Sequence, residues 1–193
     1  VCSSDLEPAY SSYRLLEADS CALSTYQMQG PFEVIARLGV NKHTKRPSED
    51  DHKAAYLNAL MWTLTGDEAH ARKSIEILNA YSAMLKLIGP NDNDDPLCAS
   101  LQGSMLANAA ELIKHTYSKV TPAEIAGWEK MLRTVFIPVL DTFFKAKPYT
   151  NGNWGAAATK AYMAFGIFLE DEALYNQAVH FYYNGHDNGT IKN

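Results

Sequence analysis

Leu60-Met61-Trp62-Thr63-Leu64-Thr65-Gly66-Asp67-Glu68-Ala69-His70-Ala71 carries one helix directly into another. Leu57, Leu60, Met61 and Leu64 recur at helical spacing over 51–65. Gly66 supplies the left-handed residue that closes a helix, and Asp67 offers a side-chain cap for the next one. The second helix spans 68–88, with Ala71, Ile75, Leu78, Tyr81, Leu85 and Ile88 in register. So short a turn makes the two helices antiparallel neighbours.

The same pattern repeats along the chain. A third helix reads over 97–117 through Leu101, Met105, Ala109, Leu112 and Ile113. Thr121-Pro122-Ala123-Glu124 is a capping box with proline at the first helical position. It opens a fourth helix over 122–146, on Ile125, Trp128, Leu132, Val135, Val139 and Phe143, which Pro138 should kink. A fifth spans 153–169, with Asn153 at the N-cap position and Trp154, Ala158, Ala161, Phe165 and Phe168 behind it. Asp171 caps a sixth over 172–183, carrying Leu174, Ala178 and Phe181. Pro31 through Leu38 reads as a further short helix, and the rest of 7–50 as irregular chain. No stretch alternates as a strand does, so the class is all-α, built of antiparallel helical hairpins.

The connections alternate in length. Those at Gly66, at 118–121 and at 170–171 are short, whereas 89–96, 146–152 and the tail from 184 are long. In an up-and-down arrangement every long connection falls at one end, where 39–50 joins them. That end gathers Lys42-His43-Lys45-Arg46, the 91–95 loop, Asn151-Gly152-Asn153-Trp154 and Gly185-His186-Asp187-Asn188. Function is expected on this rim, because loops carry it on helical scaffolds.

The 193 residues suit one domain, with 47% apolar and 20% charged residues. Residues 1–6, Val-Cys-Ser-Ser-Asp-Leu, read as non-native read-through, which leaves 7–193 as the domain. The abrupt end after Asn193 suggests truncation at the C-terminus, so a missing signal peptide says nothing of location. A net charge of −5 argues against nucleic acid. No apolar run approaches the roughly 20 residues of a membrane span. Cys2, Cys21 and Cys98 lack metal-ligand spacing. A Cys21–Cys98 disulfide and two buried or free thiols both remain open. Oligomeric state is not legible.

Little chemistry announces itself through motifs. The six histidines show no HExxH spacing, and Asp92, Asp94 and Asp95 lack the glycine and distal glutamate of a calcium loop, so neither metal nor cofactor is expected. There is no GxSxG elbow and no phosphate loop. Glu111, Asp141, Glu170 and Asp171 are candidate carboxylates for glycosidase chemistry, although Asp171 already caps a helix.

Lys42, His43, Lys45 and Arg46 form either a solvated basic turn or an anion-attracting rim. Lys145 and Lys147 add positive charge just before the Asn151 turn. Gln102 falls near the rim and could bond a sugar hydroxyl, or stand as a surface glutamine. His186 is a rim histidine. Tyr149, Tyr162, Tyr175, Tyr182 and Tyr183 are either stacking platforms or core residues. Asn153 is either a plain cap or a neutral amide that holds a carboxylate beside the unpaired N–H groups of a helix start.

Five stretches together resemble the alginate-lyase-like polysaccharide lyases. They are 54–67, ending Leu-Thr-Gly-Asp; Ile75-Glu76-Ile77-Leu78-Asn79-Ala80; 101–111, ending Asn-Ala-Ala-Glu; Asn151-Gly152-Asn153-Trp154; and 185–191. The resemblance covers about 50–193 and implies part of an incomplete (α/α) toroid. It implies β-elimination of a 4-linked uronic-acid polymer, without a cofactor, by a periplasmic or secreted enzyme with an anionic polysaccharide as partner. Asn153 would neutralise the uronate carboxylate, and Asn151 and Trp154 would shape the subsite. Gln102, His43, Arg46 and His186 complete the expected binding residues. The family's proton-transfer groups, a histidine and a tyrosine near an arginine, are expected beyond Asn193, which would leave this chain inactive alone. A helical-toroid glycoside hydrolase and a non-catalytic polysaccharide-binding protein are the alternatives.

Overall fold

Gly66 adopts φ +72° and its N–H bonds Trp62 O, while Asp67 accepts from Ala69 N at 2.9 Å. These two residues end helix α2 (Lys45–Thr65) and begin α3 (Glu68–Met84), so the first hairpin forms as its turn dictates. The computed structural model describes residues 7–89, 94–145 and 152–184. Before the hairpin come α1 (Ala9–Glu17), a 3-10 turn at Ser20–Ala22, strand β1 (Val34–Ile35) and a second 3-10 turn at Lys42–Thr44. After it come β2 (Leu87–Ile88), α4 (Asp95–Thr116), α5 (Pro122–Met131), α6 (Ile137–Lys145), α7 (Gly152–Phe168) and α8 (Glu172–Asn184).

Helices α2, α4 and α7 lie side by side in one layer, with α3, α5–α6 and α8 packed against them. The layer runs in one direction. Arg37 touches both Glu49 near the start of α2 and Asp94 before the start of α4. At the opposite end Trp62 Nε1 donates to Thr116 Oγ1, and Lys114 Nζ donates to Phe168 O at the end of α7. The described ends of the inter-hairpin connections therefore lie at the end where these three helices start. That is the rim predicted from loop lengths.

Trp128, Tyr81, Tyr162, Phe136, Phe165 and Phe168 fill the space between the layers, all fully buried. The α7–α8 turn is especially tight. A Cβ on Gly166 would stand 2.8 Å from Tyr175 N and 2.9 Å from its Cα. Backbone cannot yield as a side-chain tip can, so Gly166→Ala is expected to cost about 1–3 kcal/mol in urea unfolding. A change within error would mean that the two helices slide apart freely.

Several sequence expectations change. Residues 31–38 are not helical, and Val34 and Ile35 pair in parallel with Leu87 and Ile88. Lys86 N donates to Glu33 O and Gly89 N to Ile35 O, both at 2.9 Å. This short ladder explains why α3 stops at Met84: Leu85 turns to an extended conformation while staying buried. An apolar run can follow helical spacing yet satisfy its backbone across a strand pair. Helix α2 begins at Lys45, so Lys45 and Arg46 occupy its first turn rather than a loop. Helix α1 lies in the stretch read as irregular chain, and it buries no residue.

Pro138 acts through a different geometry from a simple kink. The turn Leu132–Phe136 just before it is π-helical. Proline has no N–H to give and its ring crowds the carbonyl a turn earlier, so a wider turn relieves both. The Thr121 capping box forms as predicted, with Glu124 N donating to Thr121 Oγ1 and Thr121 N to Glu124 Oε2. Asp171 caps α8 through Leu174 N. Cys21 and Cys98 are both buried free thiols, which decides between the two open readings. No described helix is long and apolar enough to cross a membrane.

Candidate functional site

The rim is assembled by the starts of α2, α4 and α7. Its basic part belongs to α2. The 3-10 turn Lys42–Thr44 runs straight into the helix, leaving His43 and Arg46 exposed and Thr44 buried. The first turn of α2 contains no acidic residue, and Thr44 makes no side-chain cap. Its hydroxyl instead donates to Asn41 O at 2.9 Å and accepts from Ala36 N at 3.1 Å. Lys45 and Arg46 thus stand where a helix dipole favours anions. Arg46 pairs with Asp50 at 2.9 Å but stays 83% exposed, so its guanidinium can still meet solvent ligands.

On α7, Asn153 is exposed and Trp154 is half-buried. The helix opens at Gly152, φ +71°, so Asn153 lies inside the first turn rather than at the cap. Glycine accepts that left-handed conformation without strain, which lets the helix begin one residue earlier than its side chains suggest. The Trp154 ring packs 6.5 Å from Phe143, tilted by 42°. It therefore fixes the start of α7 against α6 while keeping one part open. Helix α4 stands between the Asn153 and Arg46 parts of the rim, so the structure brings them to one end of the layer without direct contact.

Gln102 departs from expectation. It is fully buried and donates to Cys98 Sγ at 3.3 Å, on the side of α4 that faces His52. A residue near the start of a helix need not face its open end; here the α2–α4 packing encloses it. Gln102 is withdrawn from the saccharide-binding set. Asn151 and His186, with Tyr149 and Lys147, lie outside the described residues. Among the described residues no cluster of His, Cys, Asp and Glu could hold a metal ion.

The carboxylates considered for glycosidase chemistry are dispersed. Lys114 holds Glu170 at 2.6 Å and pulls its pKa down, at the end opposite the rim. Asp171, at that same end, binds Leu174 N and Arg133, which also lower its pKa. Glu111 lies near His115, late in α4. Asp141 accepts a short hydrogen bond from Tyr162, whose pKa is raised first by burial and then by that carboxylate. Two carboxylates facing each other across the rim are not formed by this set.

A family model described as alginate lyase matches residues 30–193. The chain belongs to the alginate lyase family. The match begins shortly before β1, and it includes every rim residue described above. Comparisons with curated proteins and with solved structures give no match. Membership supports polysaccharide lyase chemistry in general, with a polysaccharide as substrate.

Sequence reading missed Arg37, which is the best-connected cation of the rim. Its guanidinium is 17% exposed and binds Glu49 at 2.6 Å and Asp94 at 3.2 Å. Nothing in its neighbourhood signals this, because both partners come from other elements. The buried pair Asp51 and His52 was equally invisible. Both lie on the buried side of α2 beside Ala54, Ala55, Asn58 and Ala59, where small and polar residues leave no clear apolar stripe to read.

Proposed function

We propose that this domain binds a 4-linked uronic-acid polymer along its rim and supplies the carboxylate-neutralising group for β-elimination. The family match over 30–193 carries this reading. The exposed position of Asn153 in the first turn of α7 supports it. There the side-chain amide and the unpaired N–H groups of the helix start would face one uronate carboxylate. Removal of the adjacent C–H proton builds enolate-like charge on that carboxylate. Fixed dipoles stabilise such charge without reorganising. Trp154 would bound the same subsite. The exposed Lys42, His43 and Arg46, with the half-buried Lys45, would hold further carboxylates of the chain, since cations placed against a helix dipole gain from an incoming anion.

The proton-transfer groups, by resemblance, are expected beyond Asn193. We therefore expect the 1–193 polypeptide to release no unsaturated, ultraviolet-absorbing uronate from alginate. Release above a heat-killed control would overturn this. In a polypeptide extended through those groups, Asn153→Ala should lower turnover by at least about 100-fold with an unchanged circular dichroism spectrum. Retained turnover would remove Asn153 from the mechanism, and loss of the fold would make it a structural residue of the helix start. We place the enzyme in the periplasm or outside the cell, where its family's polymers are met.

A further inference from the structure

The chain from 29 to 37 is held at almost every step as it climbs to the rim. Gln29 N and Gly30 N donate to the two oxygens of Asp51, at 2.9 and 2.8 Å. Glu33 O and Ile35 O accept from Lys86 N and Gly89 N. Ala36 N donates to Thr44 Oγ1, inside the turn that carries His43. Arg37 then spans Glu49 on α2 and Asp94 at the entry to α4. The segment ends in one guanidinium that joins the starts of two neighbouring helices. A planar guanidinium holds two carboxylates from separate nitrogens in fixed directions, whereas an ammonium would have to reach both from one atom.

We propose that Arg37 is a positioning residue for saccharide binding. It clasps the starts of α2 and α4, and so fixes the Lys42–Thr44 turn and the basic first turn of α2 at the rim. It would not itself contact the polymer, because its Nε and Nη1 are engaged by carboxylates and its side chain is only 17% exposed. This rests on the reading of the rim as the uronate-facing end. The opposite end needs no such clasp, since Trp62–Thr116 and Lys114–Phe168 already join the helices there.

Hydrogen exchange and binding of an alginate oligosaccharide, both measured on the 193-residue chain, test this together. In Arg37→Met, amides over 33–36 and 42–50 should exchange at least about tenfold faster, with those of α7 and α8 unchanged. Oligosaccharide binding should weaken by at least about tenfold. Arg37→Lys should recover part of both effects, because it can hold one of the two carboxylates. Unchanged exchange, or an even rise over the whole chain, would overturn the clasp. Local loosening with unaltered binding would overturn the positioning role. If Arg37→Met does not fold, Glu49→Gln and Asp94→Asn each cut one arm and are read in the same way. Failure of the unmodified chain to bind the oligosaccharide would sink the uronate reading of the rim, and exchange would then decide the clasp alone.

Discussion

Asp51→Ala should remove about 3–5 kcal/mol of stability, most of what an ordinary small domain can spare. The Asp51 side chain is fully buried and accepts four hydrogen bonds. Oδ1 takes Tyr26 Oη at 2.8 Å and Gln29 N at 2.9 Å; Oδ2 takes Gly30 N at 2.8 Å and Tyr81 Oη at 2.7 Å. Alanine would leave four donors without an acceptor. Each buried donor so abandoned costs about 1–3 kcal/mol, reduced where water enters the space. Burial and the Asp51 carboxylate both raise the pKa of Tyr26 and Tyr81, so the two phenols stay protonated as donors through the physiological range.

Asp51→Asn separates shape from charge. It keeps the volume but presents an amide NH2 to two donors, and a tyrosine hydroxyl can reverse its role while a backbone N–H cannot. About 1–3 kcal/mol should be lost, less than for alanine. Urea unfolding by intrinsic fluorescence reads both. Equal midpoints for Asp51→Ala and the unmodified chain would show that the 26–30 segment is not held by this residue.

His52 should make the fold acid-sensitive well above the carboxylate range. It is fully buried with its ring edge-on to Tyr81, centroids 4.3 Å apart, and neither ring nitrogen has a hydrogen-bond partner among the described residues. Burial pushes its pKa from 6.5 down to about 3, an effect that the nearby Gln102 amide only tempers. In the unfolded chain the imidazole takes a proton below about pH 6.5; in the folded chain it does so only near pH 3. The folded state is therefore favoured fully above pH 6.5, and this contribution is lost as pH falls. The loss is about 1.4 kcal/mol per pH unit, reaching about 5 kcal/mol by pH 3.

His70 shifts in the same direction through partial burial, and its Nδ1 lies 2.7 Å from Asn58 Oδ1. Asp19, Glu124 and Asp171 have lowered pKa values, so their contributions are lost only below the ordinary carboxylate range. Between about pH 6.5 and 5 the slope belongs to the two histidines. His52→Leu should flatten it by close to one proton, with His70→Gln as the control. Parallel stability–pH curves for His52→Leu and the unmodified chain in that window would refute the assignment.

How much of this was legible follows from where the deciding interactions lie. The hairpin turns are local. Gly66, Asp67, the Thr121–Glu124 box and Asp171 act within a few residues of themselves, so their chemistry is written in consecutive positions. The burial of Leu78, Trp128 and Phe165 follows from helical spacing alone. The rim followed from the lengths of connections. Candidate site residues were less legible, because solvent exposure depends on which neighbour covers a face. Asn153 is exposed in the first turn of α7, whereas Gln102, as polar but deeper along α4, is enclosed by α2.

The sequence by itself determined the hairpins, their antiparallel order and the end at which the long connections meet, since each rests on contacts between residues close along the chain. The tertiary structure alone decided that Val34 and Ile35 pair with Leu87 and Ile88, that Asp51 holds Tyr26, Gln29 and Gly30, and that Arg37 joins α2 to α4. Those contacts link residues far apart in the chain. A polar side chain carries no mark of the distant partner that will satisfy it, so its role becomes visible only when folding brings the two together.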